Sequence, residues 1–287
     1  MPMSETLSPE LQSWVGRTRV VEEDVGLAAV RRIAGMLDLD PAGFRNGDPL
    51  PPHWFTLFFA DSARQSDIGP DGHPKPAVFL PPIPLPRRMG AGRRVTIHDV
   101  LRIGDVASKT AEVAAILPKQ ARTGFITVLT MRHTIRRNGA VIAVDEFDAI
   151  YREAVKPGEK SGTGAPVPAP ADAAWTVEKH LSSPLVFRYS AITWNAHRIH
   201  YDADYARQEE GYPATVQNGG LTMQLLLDAA VANTPGTLRG FTARLTRPIY
   251  VGDTITLAGH APKDGKVNAW VQDKNGNLCA QLDCEFS

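Results

Sequence analysis

Residues 187–227 read FRYSAITWNAHRIHYDADYARQEEGYPATVQNGGLTMQLLL. A polar loop with two histidines and a carboxylate leads to the pair Gly219-Gly220, and the pair opens an almost wholly apolar segment, Leu221–Ala232. A helix that is apolar all round is buried rather than laid on a surface. This one is too short to span a membrane. The amino end of a buried helix therefore faces a histidine-bearing loop. Helix amino ends carry free N–H groups and the positive end of the dipole, and they suit a developing negative charge.

Working outward, strand patterns follow the helix at Phe241–Tyr250, Thr254–His260, Val267–Gln272 and Leu278–Phe286, the last two flanking Asn275-Gly276. The first part of the chain has a similar order. A helical pattern over Val21–Leu39 places Leu27, Val30, Ile33, Ala34 and Leu37 on one face. A second apolar run, Trp54–Ala60, is followed by a Gly/Pro-rich stretch over 61–86, long enough to be functional. Strand patterns follow at Arg94–Leu101, Ser108–Leu117, Phe125–Ile135 and Ala140–Tyr151, the last pair flanking Asn138-Gly139. Asn-Gly between two such runs signals a hairpin, because both central residues of a type I′ turn need φ > 0. Each half reads as helix, then about four strands. An Ile/Val-Gly-Asp triplet precedes a strand in both, at Ile103–Asp105 and Val251–Asp253. This predicts a duplicated α+β unit, an antiparallel sheet curved around a helix, with the two sheets joined edge to edge. The expected division is 1–155, a Pro/Gly/Ala linker at 156–174, and 175–287.

Composition sets limits. At 287 residues and 43% hydrophobic, the chain can bury one large or two ordinary cores. Formal net charge is zero, so nucleic acid and acidic membrane surfaces are not expected partners. The two cysteines, Cys279 and Cys284, lie five apart in one strand pattern, which argues against a disulfide between them. A cytoplasmic setting is expected; neither a signal peptide nor a membrane span is read from the sequence.

Among polar residues, His197, His200 and Asp202 form the sharpest cluster. They could ligate zinc, but no third His or Cys falls at motif spacing, and no metal or other cofactor is expected. They could satisfy loop backbone groups, or a neutral imidazole could serve as general base. His53, His73, His98, His133, His180 and His260 show no comparable neighbourhood in sequence. Gly219 and Gly220 suit either close packing or a backbone oxyanion site. Arg188, Arg244 and Arg247 are candidates for phosphate or carboxylate contact, or plain solvated charges.

The stretch Ala191–Asp202 (AITWNAHRIHYD) resembles the hydratase motif of MaoC-like hot-dog proteins, A-L-T-G-D-x-N-P-I-H-x-D. Aligned without a gap, that family's catalytic Asp falls on Asn195 and its catalytic His on His200. The family's Asn and Pro fall on His197 and Arg198, and its trailing Asp on Asp202. Its V-x-H-G falls on Val216-Gln217-Asn218-Gly219. T-x-N-A-H-R-I-H-Y-D is similar to the type 2 hydroxyacyl-thioester dehydratases, with the mesaconyl-C4-CoA hydratases nearby. LPPHWFTLFFADS, IGPDGHP and FLPPIPLPRRM resemble that subgroup's amino-terminal signature. The resemblance implies a double hot-dog fold whose first half is a degenerate repeat shaping the substrate tunnel. It implies a thioester of coenzyme A or acyl carrier protein as substrate, reversible hydration of a 2-enoyl group, and a homodimer by analogy. His200 would move the proton, Asn195 would orient the water, and the Gly219 N–H would hold the enolate oxygen. A hot-dog thioesterase and a non-catalytic acyl-CoA-binding module are the competing readings.

Overall fold

The computed structural model describes residues 6–121, 124–154 and 165–287. Its strands are β1 (Thr18–Asp24), β2 (Arg87–Ile97), β3 (Val106–Ala121), β4 (Gly124–Arg137), β5 (Ala140–Arg152), β6 (Trp175–His180), β7 (Leu238–Leu245), β8 (Thr254–Gly259), β9 (Lys266–Gln272) and β10 (Leu278–Phe286). The helices are α1 (Pro9–Gln12), α2 (Leu27–Met36), α3 (Ser183–Ile192), α4 (Ala203–Gln208) and α5 (Gly219–Ala232). All strands join one antiparallel sheet in the order β1-β3-β4-β5-β2-β7-β10-β9-β8-β6. Read from either end, the order is the same when each first-half strand is matched to its second-half counterpart. The expected duplication is therefore visible in the topology, and the halves meet where β2 pairs with β7, Val95 opposite Phe241.

Three details differ from the expectation. Each half has five strands, because β1 and β6 precede the helices; both are short and alternate between exposed and half-buried positions, so they carry little apolar signal. Val21–Asp24, read as the start of a helix, lies in β1. In consequence α2 corresponds to α3, which likewise follows the first strand of its half, and the two helices touch. The central helix α5 has no helical counterpart among the described residues of the first half. Between α2 and β2 the chain instead makes short 3-10 turns, one at Trp54–Leu57, and buries Trp54, Phe55, Leu57, Phe58 and Phe59.

The turns follow their chemistry. Asn138 and Gly139 both have positive φ, 50° and 82°, as a two-residue hairpin between β4 and β5 requires. The β9–β10 hairpin also forms, but only Gly276 is left-handed there. Asp273 Oδ1 accepts from the Asn275 and Asn277 N–H groups and makes a longer turn. Residues 156–164 of the expected linker lie outside the described residues. Its remainder is fastened to the sheet: Leu278 N–H donates to Val167 O, and Ala169 and Ala173 pack against Trp270.

Helix α5 is buried from Leu221 to Leu227 and again at Ala229 and Ala230, and it contacts β7, β8, β9 and β10. Burying each of its four leucines contributes roughly 1.5–3 kcal/mol, whereas a side-chain N-cap contributes about 1 kcal/mol. Burial therefore holds this helix, and its amino end can do without a cap. One core contains α5 together with α2, the Trp54–Phe59 run and strands of both halves. Within it, Asp228 of α5 accepts from His53 Nε2 at 2.7 Å and from Trp54 Nε1 at 3.2 Å, and His53 is 1% exposed. No helix among the described residues is long and apolar enough to cross a membrane. Cys279 and Cys284 are both buried thiols, raised by burial to about 11 and about 12.

Removing the Asp228 acceptor strands three donors, His53 Nε2, Trp54 Nε1 and Gln224 Nε2, a loss of about 1–3 kcal/mol. Asp228→Ala is expected to lower the urea midpoint by that amount, and Asp228→Asn, which keeps an acceptor, by less. Equal losses in the two variants would show that the hydrogen bonds between the halves are not the source.

Candidate active site

The loop after α3 begins with a Schellman turn. The Asn195 N–H reaches back to Ser190 O at 2.8 Å and the Trp194 N–H to Ala191 O at 3.4 Å. The left-handed position that glycine usually takes is filled by Trp194, φ +52°. Such a conformation costs on the order of 1 kcal/mol, and the indole it projects is 69% exposed. Asn195 Oδ1 then accepts from the His197 N–H at 3.0 Å, so the side-chain carbonyl shapes the loop and only the amide nitrogen is left for other work. A 3-10 turn over Arg198–His200 follows, and Asp202 closes it. Asp202 caps α4 through the Tyr205 N–H at 2.9 Å and holds Arg198 at 2.7 Å, so its role is to fasten the loop.

His200 Nδ1 lies 2.7 Å from Val216 O. A carbonyl can only accept, so Nδ1 carries the hydrogen and Nε2 is the free lone pair. Val216 is itself fixed by its N–H to Ile199 O at 2.9 Å and by a bridge to Tyr250. Burial pushes His200 down to about 4, against the Val216 hydrogen bond, which raises it. The ring is neutral at physiological pH.

His200 lines a cleft of about 840 Å³ together with Ser190, Asn195, Thr215, His73 and Arg88. The last two come from the first half. A tight turn at Gly69–His73 carries Asp71, whose Oδ2 accepts from His73 Nδ1 at 2.9 Å while Oδ1 accepts from the His73 N–H at 3.0 Å. Gly72, φ +91°, is required here: a Cβ would lie 1.8 Å from Ala196 O. His73 packs against His197 with the rings tilted by 40° and 4.0 Å between centroids, and His197 meets His200 edge-on at 5.5 Å. Asp71 is lowered to about 2: its hydrogen bond from His73 and the charges around it outweigh the burial that raises it. His197, 7% exposed and outside the cleft lining, is driven by burial and then by His73 and His200 down to about 2. His73 is lowered too, chiefly by burial.

The sequence thus understated His73, which has a histidine neighbourhood supplied from 124 positions away, and His53, which is buried against α5. The only local signal for His73 was its place in the Gly/Pro-rich turn. Asp71, His73 and His197 offer ligand atoms within 4.8 Å of one another, so the third ligand that short spacing could not provide does exist in space. Both carboxylate oxygens of Asp71 are, however, already engaged by His73.

At the amino end of α5, the N-cap residue Asn218 makes no side-chain cap; its Nδ2 donates to Ser190 Oγ at 3.2 Å instead. The first N–H groups of α5 are therefore not closed off by their own cap. A Cβ at Gly219 would lie 2.4 Å from Leu245 Cδ1, and one at Gly220 would lie 2.3 Å from Tyr189 Oη, so both glycines serve close packing. The three arginines expected near substrate are not brought to the cleft. Arg188 is exposed on α3 beside Gly35 of α2, Arg244 is exposed on β7 opposite Gln281, and Arg247 follows β7 with its charge felt at Asp273 and Tyr250.

Residues 53–251 match the family described as hydroxyacyl-thioester dehydratase type 2. The chain is 39% identical over 274 residues to mesaconyl-C(4)-CoA hydratase of Chloroflexus aurantiacus, covering 89% of this chain and 94% of that protein. Among solved structures, a MaoC-like dehydratase from Phytophthora capsici superposes with TM-score 0.71 at 14% identity, over 97% of this chain and 98% of that one. A Mycobacterium tuberculosis protein described as having a double hotdog fold superposes with TM-score 0.59 at 14% identity, over 97% and 98%. The fold is the α+β double hot-dog.

Three neutral imidazoles packed together have a consequence for stability. Unfolded histidines take up protons as pH falls through about 6.5, while the folded His200 does so only near 4 and His197 near 2. The unfolded state binds more protons in that window, so stability is full above about pH 6.5 and is lost as pH falls toward 4. Thermal melting between pH 7.5 and 4.5 should show Tm decreasing on acidification, and His197→Asn should flatten the slope. A slope unchanged in that variant would mean that other groups carry the proton linkage.

Proposed function

The chain belongs to the hydroxyacyl-thioester dehydratase type 2 family and is a hydro-lyase, and from that premise we propose that it adds water reversibly to a 2-enoyl-CoA thioester of the mesaconyl-C4-CoA kind, giving a 3-hydroxyacyl-CoA. The observation that carries the reading is the fixed tautomer of His200: Nδ1–H held by Val216 O, Nε2 free, in the lining of a cleft of about 840 Å³. In the forward direction Nε2 takes a proton from water as the oxygen attacks the β-carbon. The π electrons shift through the α-carbon onto the thioester oxygen, giving an enolate. The uncapped N–H groups at Gly219 and Gly220 and the dipole of α5 support that negative charge. The imidazolium at His200 then returns its proton to the α-carbon. Atoms and charge balance, and the histidine is restored.

Asn195 stands where the wider MaoC-like pattern has an acid. An amide cannot take a proton, but its Nδ2 can donate to the water oxygen and aim it. The missing carboxylate comes from the other half. Asp71, ionised and bonded to His73, leaves His73 Nε2 as a second acceptor on the cleft and supports the transient charge on the imidazoles. His197 keeps His73 and His200 at their spacing. Two buried free thiols suit a reducing compartment, and the cytoplasm is the setting this reading favours.

The test follows the enoyl-thioester absorbance with mesaconyl-C4-CoA. The wild type should remove the conjugated band reversibly. His200→Ala should lose on the order of 10²–10⁴-fold in kcat, the span of general acid–base assistance. His73→Ala should lose about 10²-fold, and Asp71→Asn less than His73→Ala. Near wild-type turnover in His200→Ala would remove that residue from the mechanism. Release of free thiol in place of hydration would make the protein a thioesterase.

A further inference from the structure

Four arginines lie on β2, and three of them are matched with acids. Arg87 Nε donates to Glu210 at 2.8 Å, Arg93 grips Asp145 with two hydrogen bonds of 2.7 and 2.8 Å, and Arg94 holds Asp148 at 2.6 Å and Glu146 at 3.2 Å. Arg88 has no carboxylate within 4.0 Å among the described residues. It is half-buried, and it lines the same cleft as His73 and His200. Its cross-strand partner on β5 is Tyr151, and its charge acts on the Tyr151 hydroxyl.

A half-buried guanidinium without a counter-ion is costly unless a ligand supplies the charge. The acids nearby are already engaged. Both oxygens of Asp71 are bonded to His73, and Asp61 at the rim is bonded to Arg19 at 2.7 Å. The other cation of the cleft, Lys75, is exposed and donates to Ser66 O at 2.7 Å. An arginine presents a planar fork that matches a carboxylate bidentately.

We propose that Arg88 receives a free carboxylate on the acyl group, so that this site takes dicarboxylic 2-enoyl thioesters in preference to plain fatty enoyl chains. The inference rests on the hydratase reading and its mesaconyl-C4-CoA kind of substrate, and it adds the residue that reads the free carboxylate. In a thioester of the mesaconyl-C4 kind, the free carboxylate is attached to the β-carbon, the carbon that takes the hydroxyl. The cation that reads it must therefore stand at the histidine end of the cleft. Arg88 lines the cleft together with His73 and His200, and its charge acts on His73 and His197, whereas Lys75 is at an exposed position. Arg88 is a specificity-determining residue and transfers no proton.

The experiment measures binding of two saturated four-carbon thioesters, succinyl-CoA and butyryl-CoA, by calorimetry, since neither can be hydrated. They differ in the terminal carboxylate alone. The wild type should prefer succinyl-CoA by about tenfold or more. Arg88→Met should weaken succinyl-CoA by about 50-fold or more and leave butyryl-CoA within about threefold. Arg88→Lys, which keeps the charge and loses the fork, should fall between them. No preference in the wild type, or equal weakening of both ligands in a variant that still binds butyryl-CoA, overturns the proposal. If Arg88→Met binds neither ligand, the decision passes to Arg88→Lys: selective loss of succinyl-CoA supports the assignment and unchanged selectivity overturns it. Failure of the hydratase reading would be seen separately, as a wild type that discriminates the two thioesters yet leaves the enoyl band of mesaconyl-C4-CoA intact.

Discussion

Everything at the cleft depends on one close approach between backbones. Gly72 of the first half lies against Ala196 of the second with no room for a Cβ, and Arg198 ties the two turns together. The Arg198 N–H donates to Asp71 O at 2.9 Å, its Nη1 to Pro70 O at 3.0 Å, and its Nε and Nη2 hold Asp202. This contact puts His73 on His197 and so brings a carboxylate-supported imidazole beside His200. Without it, each loop would carry isolated histidines; with it, the three rings form one desolvated group whose members are all kept neutral. Neutrality is what proton abstraction requires, so the packing that builds the cluster also sets its protonation state.

The two halves divide the labour unequally. The second half supplies the proton-transfer histidine, the amide at Asn195 and the amino end of a buried helix. The first half supplies Asp71 and His73 from the long irregular segment that replaces its own central helix, and Arg88 from the start of β2, where that segment ends. Where α5 fills the second half with leucine, the first half inserts Trp54–Phe59 and anchors that run to α5 through Asp228.

Much of the fold is legible in the sequence because burial imposes periodicity. The all-apolar run at Leu221–Ala232 gives α5, and Asn138-Gly139 gives its hairpin directly. What escapes is what burial does not mark. β1 and β6 alternate between exposed and half-buried positions and bury no side chain deeply. In the site, His200 and Asn195 stand in one continuous motif and are visible in the string. Asp71, His73 and Arg88 join them only through long-range contact, and no spacing rule links position 73 to position 197. Arg188 and Arg244 were near in sequence to the motif or its helix, and helix phase and strand alternation turn them elsewhere, while Arg247 lies in the bend after β7.

Fusion of two copies into one chain has a historical consequence. In a symmetric pair of separate subunits every change occurs twice, so a loop that loses its helix loses it on both sides of the interface. Covalent linkage of the halves in one chain lifts that restriction: one copy can drift away from self-sufficiency while the other preserves the buried helix. Once Gly72 and Ala196 have settled against each other, the halves are no longer interchangeable. A recombination that replaced either one with a half from a distant cousin would have to carry both turns together, so the pair is inherited as a unit.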